Sequence, residues 1–284
     1  MNRDAQKSIL ITGCSSGIGL CVAQALQQRG YRVFATARKT EDVKRLKTIG
    51  LESLQLDLAD SLSIQNAVKE VLQLTNGRLY ALFNNGAYGQ PGAVEDLRRD
   101  VLRAQFETNL FGWLELTNLI IPTMRKQGVG RIIQNSSVLG IMGLPMRGAY
   151  VASKYALEGL TDTLRLELAD SGIKVSLIEP GPIESQFRAN AFHYYQKNID
   201  RDNSVHRESY LRTEARLSKP GPAMPFTLPP EAVLKRVIHA LENPNPKIRY
   251  SVTFPTYLFS ILKRILSWRI LDRILLKVGN SEGR

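Results

Sequence analysis

Gly13, Gly17 and Gly19 stand between an apolar run, Ile9-Leu10-Ile11, and a stretch with Ile18, Val22, Ala25 and Leu26 at helical spacing. An apolar run of that length reads as a buried strand, the spaced apolar residues as a helix, and Gly30 as its stop. An ordinary strand-to-helix turn tolerates one glycine. Three, in Thr12-Gly13-Cys14-Ser15-Ser16-Gly17-Ile18-Gly19, demand a backbone that turns sharply and is approached closely. The first N–H groups of the helix then face outward with no internal partner, a natural seat for a phosphate.

The rest of the chain repeats this alternation. Val33–Thr36, Ser53–Leu56, Leu79–Phe83, Arg131–Asn135 and Lys174–Ile178 read as further strands. Helical patterns fall near 17–29, 41–48, 61–75, 99–127 and 149–171. The alternation predicts an α/β fold, a doubly wound parallel sheet with helices on both faces. Ligands of such sheets bind beyond the carboxyl ends of the strands. Gly13, Arg38, Asp57, Asn85, Ser137 and Pro180 each follow one of the six predicted strands.

Tyr150 and Lys154 lie four residues apart, so on a helix they share one face. Moving a phenol from its usual pKa of about 10 to about 7 takes roughly 4 kcal/mol of added phenolate stabilisation. A neighbouring ammonium in a partly desolvated site can supply it, and the phenol then exchanges protons with a substrate oxygen. The pair is common on solvated helices and gains weight only from the glycine turn upstream.

Charge and composition exclude several classes. Thirty-eight Lys and Arg against 26 Asp and Glu give a net charge of +12. There is no zinc spacing, base-reading basic helix or aromatic RNA motif, so nucleic acid is not the expected partner. An anionic cofactor and an anionic membrane surface account for the excess better. His193, His206 and His239 are dispersed, and no metal is expected. Cys14 and Cys21 read as packing residues, which does not point to an oxidising compartment. The opening Met1–Lys7 is polar, without the apolar segment of a secretory leader. No uncharged apolar stretch is long enough to span a bilayer. A cytoplasmic chain is expected.

The G-x-x-x-G-x-G turn, Asp57-Leu58, Asn84-Asn85-Gly86, Asn109, Ser137, Tyr150-Val-Ala-Ser-Lys154 and Pro180-Gly181 occur in one order. Over residues 8 to about 245 this set resembles the short-chain dehydrogenase/reductase family. Within it the pattern is most similar to bacterial YbbO-type aldehyde reductases, and next to hydroxysteroid and retinol dehydrogenases. One departure is that the family's Asn-Asn-Ala-Gly is here Asn84-Asn85-Gly86-Ala87. The resemblance implies a catalytic group of Asn109, Ser137, Tyr150 and Lys154. Tyr150 would be general acid or base, and Ser137, rather than its neighbour Ser136, would bind the substrate oxygen. Lys154 would lower the phenol's pKa and hold the nicotinamide ribose, and Asn109 would keep a water in a proton path to Lys154.

The resemblance also implies cofactor contacts from Gly13, Ser15, Ser16, Gly17, Ile18 and Gly19, then Asp57, Leu58, Asn85 and Gly86. Tyr150, Lys154, Pro180, Gly181, Ile183 and Ser185 complete the set. NAD enzymes place an acid about 20 residues beyond the glycines. Here the second strand ends Ala35-Thr36-Ala37-Arg38-Lys39, which predicts NADP(H), with Arg38 and Lys39 at the 2′-phosphate. The implied substrate is a small apolar carbonyl or alcohol, an aldehyde first, with a hydroxysteroid or retinol-like alcohol as the alternative. A nucleotide-binding protein without turnover is the third reading. The implied assembly is a homo-dimer or tetramer.

Residues 1–250 are expected to form the catalytic domain, with 183–230 as a lid carrying Phe187, Phe192, Tyr194, Tyr195, Tyr210 and Phe226. Residues 231–242 read as a helix. The basic tail, 251–284, holds two apolar faces on nearly opposite sides: Leu258, Ile261, Leu262, Ile265, then Leu271, Ile274, Leu275, Val278. That predicts two short amphipathic helices broken near Ser267-Trp268. They either contact the inner face of a membrane peripherally or bury themselves in the core or a partner subunit.

Overall fold

Ile9 and Ile11 point to one face of the first strand and Leu10 to the other, and all three are fully buried. A strand apolar on both sides needs cover on both sides, and the chain supplies it. The computed structural model describes residues 6–222 and 224–281; Met1–Ala5 of the polar opening segment lie outside them. Strand β1 (Ser8–Ile11) leads through α1 (Gly17–Gln28), β2 (Arg32–Ala37), α2 (Thr40–Thr48), β3 (Glu52–Gln55) and α3 (Ser61–Leu74) to β4 (Ala81–Asn84). Then come α4 (Arg99–Phe106), α5 (Gly112–Gln127), β5 (Gly130–Asn135), α6 (Gly148–Glu167) and β6 (Ile173–Glu179). The remainder is α7 (Phe187–Asn198), α8 (Arg207–Ser218), α9 (Glu231–Glu242), β7 (Arg249–Ser251), α10 (Phe254–Ile265) and α11 (Trp268–Ser281).

The seven strands form one parallel sheet in the order β3-β2-β1-β4-β5-β6-β7. Strand order reverses between β1 and β4, so the crevice beyond their carboxyl ends is where a ligand fits. One face packs on Val22, Ala23 and Leu26 of α1 and Val233 and Val237 of α9. The other packs on Ile64, Val68 and Val71 of α3 and Trp113, Leu116 and Ile120 of α5.

The doubly wound sheet is as expected, and so is α9. Three details differ. The stretch 99–127 is not one α-helix: a π-turn, Glu107–Phe111, interrupts it between α4 and α5. Helix α6 stops at Glu167. The short edge strand β7 is not among the expected strands: Ile248, Tyr250 and Val252 do alternate with polar residues, but three residues are fewer than the runs that read as strands.

The tail breaks where expected, between Ile265 and Trp268, but its two faces part company. Leu271 and Leu275 of α11 are buried against Val138, Leu139 and Met142, with Phe259 of α10 beside them. Ile261 and Ile265 of α10 are exposed. Among the described residues no helix is long and apolar enough to cross a membrane.

Candidate active site

The glycine turn is shaped by close approach. Gly13 and Gly17 have φ of 70° and 57°, where a Cβ is strained. A methyl on Gly19 would meet the Gly13 oxygen at 2.2 Å, and one on Gly13 would meet Gly86 Cα at 2.5 Å. The turns after β1 and β4 are thus pressed together. Thr12 Oγ1 accepts from the Asn85 and Gly86 nitrogens, both at 2.8 Å, and Asn85 Nδ2 donates to the Thr12 and Gly13 oxygens at 3.0 and 3.2 Å. A methyl on Gly86 would stand 3.2 Å from Gly13 N and Leu58 Cδ1. That is tight but tolerable, so the position admits either small residue, and the swapped Gly86-Ala87 order is compatible with this packing.

Ser16 caps α1 without a side-chain bond, and no acid sits in the first turn. Ser15, Ser16, Gly17 and Ile18 instead line a cavity of about 1040 Å³. Unshielded N–H groups, two hydroxyls and no carboxylate are the donor set a pyrophosphate requires. The residues present therefore fit a dinucleotide.

The same cavity receives the candidate catalytic side chains. Tyr150 and Lys154 project from α6 and Ser137 follows β5; all three line it. Burial pushes the Tyr150 phenol up to about 12, and a hydrogen bond with Ser137 works against that. Burial likewise pushes the Lys154 ammonium down to about 7, opposed by the Glu158 carboxylate. Lys154 Nζ donates to the Asn135 oxygen at 2.8 Å and lies 4.3 Å from the Trp113 ring centre. Both shifts are set by burial, which raises the phenol and lowers the ammonium. An ammonium displaced toward neutrality carries only part of its charge at pH 7, and desolvation of the phenol prevails.

Ser136 and Ser137 both border the cavity. Their hydroxyls diverge: Ser137 serves Tyr150, while Ser136 lies on the Glu158 side. Asn109 is buried in the π-turn and does not line the cavity. Its Oδ1 accepts from Tyr88 N at 3.2 Å, and its Nδ2 donates to the Tyr88 oxygen at 2.9 Å and to Ser153 Oγ at 3.2 Å. Here it braces the segment after β4.

Asn85, Gly86, Pro180, Gly181, Ile183 and Ser185 also line the cavity. Arg38, Lys39, Asp57 and Leu58 do not. Arg38 lies beyond, where its Nη1 donates to Tyr194 of α7 at 3.3 Å, and Tyr194 stacks on Tyr88 at 4.0 Å. Asp57 is electrostatically coupled to Arg38, and Leu58 packs beneath Gly86.

The aromatic residues between 183 and 230 divide. Phe187 meets the Tyr150 ring edge-on at 5.3 Å and Phe226 lines the cavity. Tyr195 and Tyr210 instead bury themselves beside Ala93, and the Tyr210 hydroxyl donates to Asp96 at 2.6 Å. Val138, Leu139, Met142, Leu262, Ile274 and Val278 form apolar wall. No local pattern identifies these as site residues, because the tail returns to the cavity only in three dimensions. Among the described residues no three His, Cys, Asp or Glu gather as metal ligands.

A parallel sheet whose glycine turn and tyrosine–lysine pair open on one cavity defines a dinucleotide-binding fold whose cleft holds a phenol near an ammonium. A model of short chain dehydrogenases matches residues 7–196. An uncharacterized oxidoreductase of Escherichia coli K12, YbbO, is 44% identical over 95% of this chain and 94% of its own. Human 17-beta-hydroxysteroid dehydrogenase type 1 is 34% identical over 88% of this chain and 78% of its own. A short-chain dehydrogenase structure from Streptomyces avermitilis superposes with a TM-score of 0.76 at 29% identity, covering 95% and 98% of the two chains. The chain belongs to the short-chain dehydrogenase family and is an oxidoreductase of dinucleotide-cofactor type.

Proposed function

We propose that the protein is an NADP(H)-dependent oxidoreductase that interconverts an apolar carbonyl compound, foremost an aldehyde, with its alcohol. The observation that carries this reading is the meeting of Ser137, Tyr150 and Lys154 in an apolar-walled cavity continuous with the glycine turn. The bound cofactor supplies or accepts the hydride. The chain's own residues manage the proton and the geometry. A phenol at about 12 is protonated at neutral pH, so Tyr150 begins as the acid that carbonyl reduction needs. Ser137, hydrogen-bonded to it, orients the same oxygen and steadies its developing charge. Lys154 holds the ribose hydroxyls, and Asn109 positions the segment around Tyr88 as well as the proton path.

Arg38, with Lys39 beside it and no acid in its place, favours the 2′-phosphate of NADP(H). The size and apolar wall of the cavity, with the likeness to a hydroxysteroid dehydrogenase, also support a second substrate class, a steroid- or retinol-like alcohol. We place the enzyme in the cytoplasm as a homo-oligomer, with residues 1–250 as the catalytic unit and 251–284 as a tail that touches the inner face of a membrane.

Purified protein is mixed with NADPH or NADH and a series of aldehydes, ketones and lipophilic alcohols, and cofactor absorbance is followed. NADPH-linked turnover is expected, strongest on the longer apolar substrates. Cofactor binding without turnover on any of them would favour a regulatory nucleotide-binding protein instead.

A further inference from the structure

Helix α10 turns its apolar stripe outward. Phe254, Tyr257, Leu258, Ile261 and Ile265 recur at three- and four-residue spacing, which on a helix is one face. All five are exposed, Ile261 at 56% and Ile265 at 70%. The opposite side of the helix holds buried Thr256 and Phe259, and Lys263, whose ammonium lies 4.9 Å from the Tyr155 ring centre. Helix α11 is arranged the other way. Its apolar face is packed inward, and Arg269, Arg273 and Lys277, one turn apart, are exposed. Trp268, at the joint of the two helices, is 69% exposed.

The stripe begins at the rim of the cavity. Phe254 and Leu258 belong to both: each is exposed, and each lines the cavity. Phe226 of the lid does the same and lies 5.0 Å from the Phe254 ring. An apolar path therefore runs from the outer surface of α10 into the chamber that holds Tyr150.

We propose that the α10 stripe and the α11 basic row form one docking surface for an anionic lipid bilayer, and that the cavity opens into that bilayer. Apolar substrate then passes from lipid to the chamber without crossing water. The proposal rests on the reading of the cavity as the site of an apolar carbonyl or alcohol.

Charge selects the occupant. Arg264, Arg269, Arg273 and Lys277 are exposed against Asp272. A second copy docked about a two-fold axis would set this surface on itself, base against base. An anionic leaflet instead draws each base, while the stripe and Trp268 enter the acyl boundary.

Vesicle co-sedimentation tests this with the full chain. Phosphatidylcholine vesicles are compared with vesicles of equal parts phosphatidylcholine and phosphatidylglycerol. Binding is expected only to the anionic vesicles, and it should weaken as salt rises. Neutralising the row as Arg269→Gln, Arg273→Gln and Lys277→Gln should lower partitioning about a hundredfold, taking about 1 kcal/mol per base and 1.4 kcal/mol per tenfold. Ile261→Ser with Ile265→Ser should also release the protein. In both variants kcat/KM on a short soluble aldehyde should be unchanged, since none of the five residues lines the cavity. If the wild type ignores anionic vesicles, or the variants bind as it does, the proposal is wrong. If the serine variant instead dissociates an oligomer in sedimentation velocity, the stripe is a subunit interface. Absence of turnover on every substrate would count against the enzymatic reading and leave the vesicle result standing.

Discussion

Burial moves Tyr150 and Lys154 in opposite directions. The phenol is held as an acid at about 12, and the ammonium is brought to about 7. Replacing Tyr150 with Phe removes the proton donor and leaves the cleft's shape nearly intact. Turnover should fall by about a thousandfold, within the usual range for a lost acid–base group. Cofactor affinity, read by NADPH fluorescence, should stay within about twofold. Lys154 also leaves a mark on stability. Its folded value of about 7 lies below the ordinary 10.5, so between these the unfolded chain binds more protons. Stability from this group therefore rises with pH across that window and is lowest below about 7. Glu158, raised to about 7 by burial, acts at lower pH, between its ordinary 4.5 and about 7. Urea denaturation at several pH values should show a flatter slope from pH 7 to 10 in Lys154→Met than in wild type. At this scale Ser137, Tyr150 and Lys154 stood out only in company with the glycine turn, through the family resemblance the whole set carries, since the tyrosine–lysine pair alone is common on solvated helices. Tyr194 and Phe187 reveal nothing of their contacts from their neighbours in the chain.

Two elements hold parts of the site that are far apart. Helix α7 runs from Phe187, against the Tyr150 ring, to Tyr194, which receives the Arg38 hydrogen bond. One helix thus touches both the Tyr150 ring and the residue proposed to read the 2′-phosphate. Losing a charge-assisted bond costs about 1.5–3 kcal/mol. Arg38→Asp should therefore shift the ratio of kcat/KM for NADPH over NADH by at least about tenfold toward NADH; an unchanged ratio would refute the role of Arg38. Strand β7 holds the other clasp. Arg249 donates to Glu179 at 2.7 Å and Asp162 at 2.6 Å, and pairs with Glu158, four residues past Lys154. Arg249→Met would leave the buried Glu158 and Glu179 without their cation. Denaturant midpoints should report a loss of about 2–3 kcal/mol, below the 3–5 typical of a fully buried pair because Arg249 remains 33% exposed. Regular elements with apolar periodicity were legible in advance. A three-residue edge strand and a π-turn were not, since one is too short to stand out despite its alternation and the other follows from a local change of hydrogen-bond register.

Across the whole molecule, helices α10 and α11 are joined to the rest of the fold by packing. Leu271 and Leu275 sit against the segment that follows Ser137. Leu271→Ala should cost about 2–5 kcal/mol, as large-to-small core changes do. It should also raise KM for long apolar substrates while sparing kcat on short ones, because Ile274 and Val278 of the same helix line the chamber. A KM change shared equally by all substrates would place the effect elsewhere. The sequence signalled two amphipathic helices but left open which face turned inward, because that depends on distant Val138, Leu139 and Met142.

The strand order also sets a sequence of events during synthesis. Strands β1, β2 and β3 emerge first and are neighbours, so the half of the sheet that ends at the glycine turn can pair early. Each later strand, β4 through β7, adds to the other side of β1 in the order in which it is made. Helices α10 and α11 emerge last of the described elements, after every strand. The glycine turn after β1 is thus made well before α10 and α11 complete the cavity wall. Until the last turns of α11 dock, the apolar interior beside Ser137 stays open, and a nascent chain stalled there would present that interior to chaperones.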